Sequence, residues 1–185
     1  MEYNLAEIYF DNLNKRAPLL EKKMNDFING ISDPNWEKVL DFFRDRFFID
    51  LPYLQSPCYG LIYPIQKVFH DKDIDQIHFN LFLSIEAPIF TAYYVAMEVD
   101  NGGDAKITLF SDQDFQPDGF DFDAAIKHVI SVYPDHQFVS HKALFAEKVD
   151  WGIPLNGAKS EEGSYPFEFL FDQFYGQLDQ LEVEE

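Results

Sequence analysis

Cysteine is almost missing from this 185-residue chain, and basic residues are scarce. The single thiol, Cys58, excludes an intramolecular disulfide and any cysteine-rich zinc site. Its neighbours Ser56, Pro57, Tyr59 and Gly60 offer no base to activate it, so it reads as a packing residue. Only 14 Lys and Arg stand against 33 Asp and Glu, a formal charge of −19. Binding to DNA or RNA draws its affinity from cations that neutralise phosphates, so nucleic acid is not an expected partner. The same repulsion opposes anionic membrane surfaces, and no apolar run approaches the roughly 20 residues that span a bilayer. The opening residues, MEYNLAEIYFDNLNKR, carry acids where a secretory leader has a basic stretch and an apolar run, so the expected location is cytoplasmic. The signatures of P-loop, dinucleotide-binding, serine-hydrolase, zinc-protease and kinase chemistry are all missing.

What is present is apolar mass. Hydrophobic residues make up 46% of the chain and aromatics 17%, with 20 phenylalanines, which distinguishes this sequence from acidic disordered tails. The length suits one globular domain that buries roughly 70% of the surface of its unfolded form.

Periodicity organises the chain. Leu5, Ile8, Tyr9 and Leu13 repeat at helical spacing, Pro18 interrupts, and Leu20, Met24, Phe27 and Ile28 resume the stripe up to Gly30, giving two short helices or one kinked helix. Asp33 before Pro34 predicts an N-cap, followed by a core stripe of Trp36, Val39, Leu40, Phe43 and Phe47 that ends before Pro52. The middle switches to strand alternation. Ile77, Phe79, Leu81, Leu83 and Ile85 face a core, and Leu61, Tyr63, Ile65 and Phe69 form a matching set one hairpin earlier. Pro64 in that earlier strand predicts an edge position. Residues 89–99 are apolar on both parities, as in a central strand covered on both faces. The turn residues Asp100, Asn101, Gly102, Gly103 and Asp104 then predict a hairpin pairing Met97 with Ile107. A helix is expected over 122–133, a strand over 137–149, and a closing helix carrying Phe167, Leu170, Phe171, Phe174, Leu178 and Leu181 after a Ser164 cap. The expected fold is α+β: a four- or five-stranded, mainly antiparallel sheet packed by N-terminal and C-terminal helices.

Five constellations are candidates for function. His78 shares a strand face with Asn80, Ser84 and Glu86, and a hairpin centred on Ile74 sets His70 opposite it, a pairing suited to zinc or proton transfer or else the plain polar side of an amphipathic sheet. His141 falls on an inward parity and reads as a core histidine. Between Asp100 and Asp123 there are seven aspartates and one lysine. Asp112, Asp114, Asp118, Asp121 and Asp123 there form a candidate partner-binding loop; the ordered calcium-loop pattern is absent, and turn and cap roles account for several of them. Beyond Lys159 come eight acids and no base. The aromatic pairs, with Trp36 and Trp151, offer a lining for a ligand pocket or simple packing.

Two functions follow. The first is a non-catalytic binding protein, an inhibitor or adaptor whose acidic surface engages a basic protein and which needs no cofactor. The alternative is an enzyme or small-ligand-binding domain with an aromatic-lined pocket using His78, Glu86 or His141.

Overall fold

The computed structural model describes residues 4–45, 48–51, 56–70, 73–99, 105–111, 116–152, 163–171 and 181–183, with side chains left aside at 49, 51, 66–70, 73–75, 98–99, 105–106 and 181–183. The framework is one sheet with helices on both faces. Helix α1 (Leu5–Ile28) begins where the Asn4 side chain accepts the Glu7 N–H at 3.2 Å. It ends at Asn29, where Gly30 takes the left-handed φ of 67° that glycine adopts without a Cβ clash. Pro18 lies inside this helix, so of the two expected alternatives, two short helices or one, the chain forms one.

Helix α2 (Pro34–Asp41) starts as its sequence predicts: the Asp33 carboxylate accepts the N–H groups of Asn35 at 2.8 Å and Trp36 at 3.0 Å. It stops at Asp41 rather than continuing towards Pro52, and Phe47 lies outside the described residues. Five strands then run as an antiparallel meander: β1 (Ile49–Leu51), β2 (Cys58–His70), β3 (Asp73–Ser84), β4 (Ile89–Val99) and β5 (Ala105–Phe110). Met97 pairs with Ile107 as the turn chemistry implies. β2 is not the outermost strand, since β1 pairs it from Gly60 to Ile62; among the described residues that pairing stops short of Pro64, which lies beside a register shift between Pro64 and Gln66.

Two short strands add parallel pairings. After α3 (Phe122–Val132), β6 (Gln137–Phe138) joins β4, and β7 (Leu181–Val183) joins β5. The strand expected over 137–149 therefore ends at Phe138, and α4 (His141–Phe145) begins under a Ser140 cap. The closing helix is also shorter than its stripe. α5 (Pro166–Leu170) follows Tyr165, with the Tyr165 N–H donated to Glu168 Oε1 at 2.9 Å. Ser164 instead pairs with Val149 in a bridge, Leu181 is in a strand, and Phe174 and Leu178 lie outside the described residues.

The meander buries both sides. One face carries Leu61, Tyr63, Phe79, Leu81, Leu83, Phe90, Ala92 and Tyr94 against α2 and α3. The other carries Phe82, Tyr93, Val95 and Leu109 against α1, α4 and α5. Asn80, Ser84 and Glu86, read as a solvent strip or a site, are therefore buried beneath helices.

Candidate functional site

The histidine pair dissolves in the strand register. His70 sits opposite Asp73 and His78 opposite Pro64, so the pairing is not centred on Ile74, which lies opposite Phe69. Glu86, 4% exposed, is occupied by α1: Arg16 donates Nε to Oε2 and Nη2 to Oε1, both at 2.7 Å, and Nη2 also donates to the Phe169 carbonyl. Burial works to lower the Arg16 pKa and the bonded Glu86 carboxylate to raise it; the second prevails and the value is raised. This fork fastens α1 and α5 to the β3–β4 connection. His141 is buried with its ring 5.6 Å from that of Tyr93. Trp36 is buried and stacked on Tyr59, and Trp151 packs among Tyr9, Phe10 and Phe169. Among the described residues no group of three or more His, Cys, Asp or Glu is placed to hold a metal.

In the aspartate segment, Asp112 and Asp114 lie outside the described residues. Asp121 caps α3, accepting the Ala124 N–H at 2.9 Å, and Asp123 stands 3.8 Å from Lys127 on the same helix. Asp118 is exposed in a turn.

A different place gathers the chemistry. Where α1 ends and α2 begins, a cleft of about 280 Å³ opens against β1 and β2, bordered by Asp26, Asp33, Glu37 and Asp50. Four carboxylates and one ammonium, Lys23, line it, and two of the acids are ion-paired from outside the cleft: Asp26 with Lys22 at 3.0 Å and Glu37 with Arg44 at 3.0 Å. Trp36 and Tyr59 form its floor, their rings stacked at 5.3 Å, and Phe27 and Ile31 form its rim. A neighbouring cleft of about 180 Å³ shares Lys23, Asp26, Asp33 and Tyr59 and continues to Ser84, Tyr133 and His136. Neither is lined by His78, Glu86 or His141, the residues of the small-ligand alternative.

Local structure fixes each group. Lys23 is buried on the inner side of α1, where its ammonium donates to the Ser56 carbonyl at 3.1 Å and to that of Cys58, and lies 5.3 Å from the Tyr59 ring centre. Asp33 is held by its cap bonds and accepts the Tyr133 hydroxyl at 3.4 Å. Trp36 Nε1 donates to Asp50 at 3.2 Å, and Arg44 pairs with Glu37 at 3.0 Å. Negative potential shows in the phenols: burial, then Asp33, Asp26 and Asp50, pushes Tyr59 up to about 12. Burial, with Asp33 and Tyr59 behind it, pushes Tyr133 up as well. Burial pushes the His136 imidazole down, against opposing effects of a Ser84 backbone bond and Asp135. Carboxylates on the walls, aromatic faces below and apolar carbon on the rim are groups whose chemistry suits a cationic side chain.

The rim belongs to a stripe that the sequence shows, with nothing in the spacing to say that its end stays uncovered. Met24, Phe27 and Ile28 continue the stripe of α1, yet they are 40%, 52% and 70% exposed, and Ile31 is 58% exposed. Among the described residues no helix is long and apolar enough to cross a membrane. Comparison with protein-family models, curated proteins and solved structures gave no significant match to this chain.

Proposed function

We propose that this is a non-catalytic cytosolic binding protein, an inhibitor or adaptor whose acidic surface engages a basic protein. The cleft between α1 and α2 carries the reading, because four carboxylates border it and two of them, Asp33 by its cap bonds and Asp50 by the Trp36 N–H, are held in place without a basic side chain on them before any partner arrives. Exposed Asp118, Asp121 and Asp123 at the opposite end of α3 from Tyr133 extend the negative field, together with Asp112 and Asp114 of the same segment. That field steers cationic proteins inward and repels nucleic acid and anionic lipid.

The test is fluorescence anisotropy with a labelled lysine-rich peptide and an oligoglutamate control at low and moderate salt. The lysine peptide binds, its affinity falls steeply as salt rises, and Glu37→Gln with Asp50→Asn weakens it by roughly tenfold at low salt while keeping the acceptors for Arg44 and Trp36. Equal binding of both peptides, or affinity indifferent to salt, overturns the reading.

A further inference from the structure

We propose that the end of α1 is a docking seat for a basic amphipathic segment of the partner, an apolar side chain resting on Phe27 and Ile31 while a neighbouring arginine or lysine enters the cleft. The inference rests on the binding function above and adds the kind of sequence that is bound.

Three observations meet here. Met24, Phe27, Ile28 and Ile31 leave large apolar surface in water within eight residues of chain, at an end of the helix where Lys23 takes the inward position. Phe27 and Ile31 also line the cleft, so apolar rim and carboxylates share one opening. The last turn of α1 carries no basic residue, so its carbonyl end adds partial negative charge to the same opening, where Asp26 is itself paired with Lys22 one turn back. A purely polar polybasic tail satisfies the carboxylates and leaves the rim wet, whereas a purely apolar helix covers the rim and strips water from the acids without pairing them. A segment with both kinds of side chain satisfies both. A second copy of this chain is disfavoured, because it sets −19 against −19.

The experiment uses the full chain and three labelled peptides: one of arginine and leucine at helical amphipathic spacing, its leucine-to-serine version, and a glutamate–leucine version. The arginine–leucine peptide is expected to bind roughly tenfold tighter than the arginine–serine one, and the doubly substituted Phe27→Ser, Ile31→Ser protein loses that advantage while its melting temperature is retained, since both residues are exposed. Equal binding of the two arginine peptides overturns the docking seat and leaves the electrostatic reading standing. No binding of either arginine peptide removes both. Equal binding of the glutamate–leucine peptide, or a concentration-dependent dimer abolished by Ile28→Ser, also overturns the proposal, the latter by assigning the patch to self-association.

Discussion

On the sheet face under α2 and α3, rings meet rings. Phe79 lies 4.7 Å from Phe120, 5.6 Å from Phe122, 5.8 Å from Phe43 and 6.2 Å from Tyr94 between ring centres. The face under α1, α4 and α5 also buries aromatics, Phe82, Tyr93, Phe145 and Phe167 among them, but mixes in the Arg16–Glu86 pair, Asn80, Thr91 and His141. Both faces are equally dry, and they are closed by different forces. The first is fastened by dispersion and shape, which no single group dictates. The second also depends on specific partners, because a charge or polar atom taken from water there costs stability wherever it is left unanswered.

The largest effects compare the two faces directly. Phe79→Ala deletes a ring that is 0% exposed and costs about 3–5 kcal/mol in denaturant unfolding. Arg16→Met costs a similar ~3–5 kcal/mol by leaving the Glu86 carboxylate, its side chain 1% exposed, buried without its counter-charge. The faces then separate on repair: adding Glu86→Leu to Arg16→Met restores most of the loss, since the damage is electrostatic, whereas no second change on the aromatic face refills the Phe79 void. A double variant no better than Arg16→Met assigns the loss to packing of the arginine stem.

A smaller effect sharpens the contrast within the polar face. Asn80 Oδ1 and Thr91 Oγ1 are buried without a hydrogen-bond partner among the described residues. Thr91 is 0% exposed on the central strand β4, so Thr91→Val exchanges an unanswered hydroxyl for a methyl of similar size and raises stability by about 1 kcal/mol. A loss of stability means the hydroxyl is bonded to an ordered water that valine expels.

The smallest lies in the cleft. Tyr59 is raised from 10.0 to about 12 by burial and by Asp33, Asp26 and Asp50, so the folded protein keeps this phenol neutral after the unfolded chain has begun to ionise. The stability it contributes is complete below about pH 10 and is lost as pH rises through about 12, and Tyr133, raised for related reasons, acts in the same direction. Melting temperature should therefore fall across that window, and Asp33→Asn should flatten the fall by removing a charge that both phenols feel. A melting temperature flat from pH 9 to 12 contradicts this.

Strand alternation made the meander legible. Phe79, Leu81 and Leu83 lie on the face that their parity assigns, Phe90 and Tyr94 oppose Tyr93 and Val95, and Asp33 caps α2 beneath Pro34. The stripes at both chain ends misled, because periodicity reports a shared side of a helix without saying what covers it. Phe27 and Ile28 keep the α1 spacing and remain in water. Leu181 fits a helical series and pairs with Ile107 in the sheet. The cleft was illegible for a related reason: Asp26, Glu37, Asp50 and Tyr59 belong to four elements and Asp33 to the joint between two of them, and no local spacing joins them.

By itself the sequence determined the fold class, the Met97–Ile107 register and a net charge of −19, all of which depend on near neighbours or on simple sums. Only the tertiary structure decided that Glu86 is consumed by Arg16, that Lys23 turns inward while Phe27 turns outward, and that carboxylates distant in sequence border one opening. Those outcomes are set by which helix lands on which face of the sheet, and that is decided by packing between residues far apart in the chain.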